Sequence, residues 1–259
     1  MPVRELIQDT LPKLLNKLTD LFAPNELAYL SIQGKNEIQI RDKVAWHLQV
    51  AIDSDQDCQG NYVVCHEWGP EKGRSKVDLA VLDNQGKPIV LFEFKSHYLL
   101  NNEKYMYAEF VKDSNKMYQF CNGNSDIHMY FIFLQNVPSP IQRPVGGVLK
   151  YVMPTSYTGR LNKLKQAWVY PGANNRIQQH IQGIWNDFYV YNEDKFTSAM
   201  KRDLKGRHFF KPQSNSIPQF NISQLQNIGN SYGCPCYIAP FIWGPYTCNT
   251  LDKPYTFKL

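Results

Sequence analysis

Asp78, Glu93 and Lys95 are the residues whose types and spacing could do chemistry. Each is set in an apolar run, Val77-Asp78-Leu79-Ala80-Val81 and Leu91-Phe92-Glu93-Phe94-Lys95. A charge among apolar neighbours needs a partner, a proton shift or a metal, since leaving it bare costs on the order of several kcal/mol. Two nearby carboxylates raise each other's pKa. A magnesium ion removes that conflict and suits oxygen donors. Such an ion lowers the pKa of a bound water and neutralises charge on a phosphate. A lysine beside it can orient the water or stabilise developing negative charge. These are the requirements of phosphodiester hydrolysis, which needs no side-chain nucleophile. The sequence offers no competing Ser/His/Asp or Cys/His grouping.

The elements that must position these residues follow from periodicity. Strand-like runs are expected at Tyr62 to Trp68, Lys76 to Leu82 and Pro88 to Lys95. Asp83-Asn84-Gln85-Gly86 reads as a turn, so the second and third runs form an antiparallel hairpin. Alternation in the third run sends Ile89, Leu91, Glu93 and Lys95 one way and Val90, Phe92 and Phe94 the other. Asp78 shares a face with Ala80 and Leu82, so Asp78 and Glu93 can reach one ion across the hairpin. Both runs are apolar on both faces, as in a sheet covered on two sides.

A helix is expected from about Thr10 to Phe22, with Pro12 in its first turn. A second starts near Asn36, where Asn36 and Gln39 read as a capping box, and buries Ile40, Val44, Leu48 and Ala51. Glu37 shares that face at its N-terminal end and could add a third carboxylate. A further helix is expected from about Glu103 to Phe120, then a strand from Ile127 to Leu134, and an amphipathic helix from about Asn174 to Tyr189. Beyond Pro212 the chain is rich in Pro, Gly and Tyr and gives no clear periodicity.

The strings Lys76-Val77-Asp78-Leu79-Ala80-Val81 and Leu91-Phe92-Glu93-Phe94-Lys95-Ser96, in this order of elements, resemble the PD-(D/E)XK superfamily of restriction-endonuclease-like nucleases. The resemblance covers about Asn36 to Gln135. It implies an α/β fold whose core is a helix, a three-stranded antiparallel meander, a helix and a strand. An N-terminal helix and a mixed C-terminal extension, about 136–259, would be added to this core within a single domain. It maps the metal-binding acids onto Asp78 and Glu93, the lysine onto Lys95 and the first-helix acid onto Glu37. Val77 stands where the family's proline often does. The implied activity is a magnesium-dependent endonuclease acting on DNA, with manganese able to substitute and RNA as a further possible substrate. A catalytically silent nucleic-acid-binding or assembly protein that keeps the fold is the competing reading, and a homodimer is open.

Nucleic acid requires positive charge where its backbone passes. The densest basic run is Lys201-Arg202-Asp203-Leu204-Lys205-Gly206-Arg207-His208-Phe209-Phe210-Lys211, where cations mix with aromatics. Arg160, Lys163 and Lys165 form a smaller cluster, and Arg74 could touch phosphate. Glu67 could be another metal or network acid, or a solvated edge charge. His66, His97 and Gln119 flank the site with weaker claims.

The 259 residues are 43% hydrophobic and 20% charged, an ordinary globular composition, and the formal charge of +5 only permits an anionic partner. No run of about 18 apolar residues appears, so no membrane span is expected, and the N-terminus lacks a secretory apolar stretch. Scattered cysteines favour reduced thiols and a cytoplasmic setting. Cys234-Pro-Cys236 with Cys248 could hold zinc, at a spacing that fits no strong zinc pattern.

Overall fold

The computed structural model describes residues 2–70, 75–98, 112–114, 116–138, 208–209, 221–222, 225–231, 233–248 and 255–256. The class is α/β. Helices α1 (Val3–Leu15), α2 (Glu26–Gln33) and α3 (Asn36–Ser54) precede strands β1 (Tyr62–Trp68), β2 (Val77–Asp83) and β3 (Pro88–Tyr98). Residues 112–114 and 116–121 are helical, and β4 (His128–Pro138) follows. The later strands are β5 (His208–Phe209), β6 (Asn221–Ile222), β7 (Gln226–Ser231), β8 (Cys234–Tyr246) and β9 (Tyr255–Thr256).

Seven strands form one mixed sheet in the order β1-β2-β3-β4-β8-β6, with β7 also pairing β8. The first three strands are an antiparallel meander, and β4 lies parallel to β3. A parallel neighbour needs a crossover, and the helical residues between β3 and β4 belong to it. The expected order of helix, three strands, helix, strand is therefore present over α3 to β4.

The first helix begins earlier than the sequence reading placed it. Val3, Ile7, Leu11 and Leu15 are its buried stripe at four-residue spacing, so Pro12 lies inside it, and Leu18–Leu21 is a separate 3-10 turn. The sequence reading had no element at α2, whose eight residues are too short for a clear period. The capping box at Asn36 does not form. Lys35 is the N-cap, with no side-chain cap bond, and Asn36 is buried with its amide on Asn136 Oδ1 at 2.5 Å. Ile52 rather than Ala51 ends the buried stripe of α3.

One apolar cluster joins the three helices to Leu79, Val81, Val90, Phe92, Phe94, Tyr130, Ile132, Leu134, Ile228, Ile238 and Ile242. The other face of the sheet carries buried Ala80, Leu91, Met129, Phe131, Phe133, Phe241 and Trp243. The helical residues 116–121 cover part of that second face: Met117 and Cys121 are buried, and Cys121 Sγ lies 3.4 Å from Met129 Sδ. Both faces are covered, as the continuous apolar runs imply.

The tight β2–β3 connection sets the register. Asp83 Oδ1 accepts from the backbone N–H of Gln85 at 2.9 Å and of Lys87 at 2.8 Å, and Gly86 takes a left-handed φ of 75°. A bulge follows, with Leu82 opposite Pro88 but Val81 opposite Val90. Ile89 is the extra residue, and it packs on the helix-side cluster rather than with Leu91. That corrects the simple alternation expected for Ile89. A one-residue slip changes which side chains face each other. Beyond the bulge, Ala80 faces Leu91 and Leu79 faces Phe92, and one step further the same register sets Asp78 opposite Glu93.

Candidate active site on the second face of the sheet

The sheet opens where the charges lie. The β2–β3 ladder runs as far as Leu79 and Phe92. The next β3 amides on that edge are taken by carboxylates instead: Phe94 N donates to Asp78 Oδ2 at 2.7 Å and Ser96 N to Glu37 Oε2 at 2.5 Å. Charge-assisted bonds of this kind satisfy donors that a separating strand would otherwise leave bare. Asp78 and Glu37 are thereby tied to one strand from two different elements. Cross-strand neighbours put Cβ atoms about 5 Å apart, so Asp78 and Glu93 are within mutual reach.

Glu93 is 2% exposed, and its Oε1 is 2.5 Å from Lys116 Nζ. Burial, then the charges of Asp78 and Asp113, push its carboxyl well above the usual carboxylate range, against the pull of Lys116. Lys95 Nζ pairs with Asp113 Oδ2 at 3.0 Å. Burial would lower its pKa, but Asp113, Glu93 and Glu37 outweigh burial and hold the ammonium charged. Lys116 also reaches Asp113 Oδ1 at 3.2 Å, and the carboxylates raise its pKa against the effect of burial. On the other side of Asp78, buried Arg41 brings Nη1 to 3.7 Å from Oδ1. The network is therefore four carboxylates (Glu37, Asp78, Glu93 and Asp113) interleaved with three cations (Arg41, Lys95 and Lys116).

Of the residues expected from sequence, Asp78, Glu93, Lys95 and Glu37 come together. Glu67 lies in the same cross-strand row but is exposed, 3.5 Å from Lys76 and 3.9 Å from Arg41. Its backbone is left-handed, φ 48°, and Trp68 beyond it meets Phe120 edge-on at 5.9 Å. His66 points to Asp42 at 3.2 Å. His97 is buried and stacked on Phe133, and burial together with Lys95 lowers its pKa to about 4. Gln119 is exposed and does not face the site. Arg74, Lys201, Arg202, Lys205, Arg207 and Lys211 lie outside the described residues, as do Arg160, Lys163, Lys165 and the expected helix from Asn174 to Tyr189.

Sequence reasoning missed Asp113, Lys116 and Arg41. Met117, Phe120 and Cys121 form a helical stripe, and one turn back on it stand Asp113 and Lys116. Arg41 is four residues after Glu37 and three before buried Val44. A charge on an otherwise apolar stripe was the available signal in both cases.

The oxygen donors of Asp78 and Glu93, with Glu37 at the margin, are of the type a hard divalent cation takes. The mutual repulsion that raises Glu93 is the conflict such an ion would relieve, so this donor set fits it. Among the described residues, no group of three or more His, Cys, Asp or Glu is arranged to hold a metal without rearrangement. Lys95 and Lys116 stand among the carboxylates instead. The three cysteines considered for zinc cannot share an ion. Cys236 is buried near the start of β8 and Cys248 lies past its end, some ten strand residues apart at about 3.3 Å each. Among the described residues no helix is long and apolar enough to cross a membrane.

No family model, no curated protein and no solved structure matches this chain.

Proposed function

We propose that this chain is a metal-dependent endonuclease that hydrolyses phosphodiester bonds in DNA, with a restriction-endonuclease-like core from α3 to β4. The observation that carries the reading is the placement of Asp78 opposite Glu93 at the point where β2 and β3 part, with Lys95 two residues on and Glu37 on the same strand edge. Magnesium or manganese would be held by Asp78 and Glu93, with Glu37 alongside. When bound, the ion supplies a more acidic water and neutralises phosphate charge. Lys95 keeps its charge because three carboxylates surround it, and it is a quarter exposed. It can therefore orient a water or stabilise charge on a phosphoryl oxygen. Asp78 and Glu37, each fixed by a backbone amide, resist rotation when a substrate approaches.

The test is cleavage of supercoiled and linear DNA in magnesium by the wild type and Glu93→Ala. Loss of about a thousandfold in rate is expected. Equal rates would remove Glu93 from the site. Single-stranded, double-stranded and RNA substrates separate the modes of action.

A second reading has its own support. Each lysine already has a carboxylate partner, so the charges also make a self-neutralised network. A silent nucleic-acid-binding protein would bind DNA with steep salt dependence and show no metal-dependent cleavage.

A further inference from the structure

Glu93 is the most enclosed carboxylate of the site, and a buried carboxylate needs a cation beside it. That cation is the ammonium of Lys116, carried by the crossover helix rather than by the sheet. Lys116 has a second partner, Asp113, one helical turn back at 3.2 Å. Asp113 in turn divides its two oxygens between Lys116 and Lys95. Lysine is a compact charge on a flexible stem and can shift between neighbouring acceptors without leaving the helix.

We infer that Lys116 is a resident counter-cation of Glu93, competing with a divalent ion for that carboxylate, with Asp113 retaining the ammonium when the ion enters. The inference rests on the metal-site reading above and deepens it. One cation replaces another, so Glu93 is never left bare. The crossover helix is thereby coupled to the state of the site: it is tied to Glu93 without the ion and to Asp113 with it. Lys116 is a positioning residue in this account, and it sets affinity for the ion rather than the chemistry.

The test uses the full chain without nucleic acid, with Mn2+ as the probe. Binding is followed by calorimetry and by the electron paramagnetic resonance of free Mn2+. Lys116→Met removes the competing charge at similar length and should tighten Mn2+ binding by about tenfold or more. Its melting temperature in EDTA should fall, and Mn2+ should raise it by more than in the wild type. Damage to the fold would weaken binding, so a gain separates the two explanations. Lys116→Gln keeps a hydrogen-bonding group beside Glu93 and should give the same gain if Lys116→Met fails to fold. Lys116→Arg should stay near wild type. Adding Glu93→Gln to either neutral variant should abolish the gain, and persistence of the gain would overturn the assignment. Wild-type binding that Lys116→Met and Lys116→Gln leave equal or weaker overturns the competition but leaves the metal site standing. Binding by neither wild type nor folded variants overturns both. Binding by the neutral variants alone supports both, with Lys116 masking the site.

Discussion

The two faces of β3 are made from alternate residues of one strand and are treated in opposite ways. Val90, Phe92 and Phe94 enter the cluster under α1, α2 and α3, where packing alone holds them. Glu93, Lys95 and His97 enter the second face, where they meet charge, a crossover helix and Phe133. The first face is stabilised by area removed from water, which is non-directional and large. The second holds buried charges whose desolvation cancels much of what their pairing returns. A fold that spends stability on one face must gain it on the other, and a strand with period two lets a single segment do both.

The largest effects should separate the faces. Glu93→Gln should lower cleavage by about a thousandfold while changing unfolding free energy little, since it removes a buried charge and keeps the shape. Phe94→Ala should cost about 3–5 kcal/mol in urea unfolding through the cavity it leaves. If Phe94→Ala spared stability and Glu93→Gln unfolded the chain, the division of labour would be reversed.

A smaller effect comes from His97, buried on the charged face. Its folded pKa, about 4, lies below the ordinary imidazole value because of burial and Lys95. Its stabilising contribution is therefore full above about 6.5 and is lost as pH falls toward 4. The loss is on the order of 3 kcal/mol. Urea unfolding at pH 7 and pH 4.5 should show the wild type losing more stability than His97→Asn over that window. Equal losses would show that the imidazole is not buried neutral.

The two faces were not equally legible. Strand alternation around Phe92-Glu93-Phe94-Lys95 is a local pattern, and it put both acids on one face from residue types alone. The bulge at Ile89 is a local decision without a local signature, because Ile suits either face. Lys116 and Asp113 needed the crossover to be folded back over the sheet before their stripe had a meaning. Asn136 shows the limit of local reading. Its amide donates to Ser96 Oγ and to the carbonyls of His97 and Leu134, while its oxygen accepts from Ser31 and Asn36. Those partners lie up to 105 residues away. Strand β8 was hidden for another reason. Pro235, Pro240 and Pro245 cannot donate to a ladder and argue against an interior strand, yet β8 pairs on both sides.

The smallest predicted effect lies at the rim, and it sharpens the contrast by its size. Glu67 and Lys76 pair at 3.5 Å, and their side chains are 59% and 48% exposed. Water screens this pair and both side chains give up freedom to form it, so it contributes little. Lys76→Ala should change unfolding free energy by no more than about 0.5 kcal/mol. Raising salt should change it less still, because the interaction is already weak. A loss above about 2 kcal/mol would mean that Glu67 belongs to the buried network through Arg41, 3.9 Å away. The boundary of the site would then move outward from Asp78 to β1. With the expected small value, the boundary stays at Arg41 and Asp78, where burial rather than proximity gives a charge its influence.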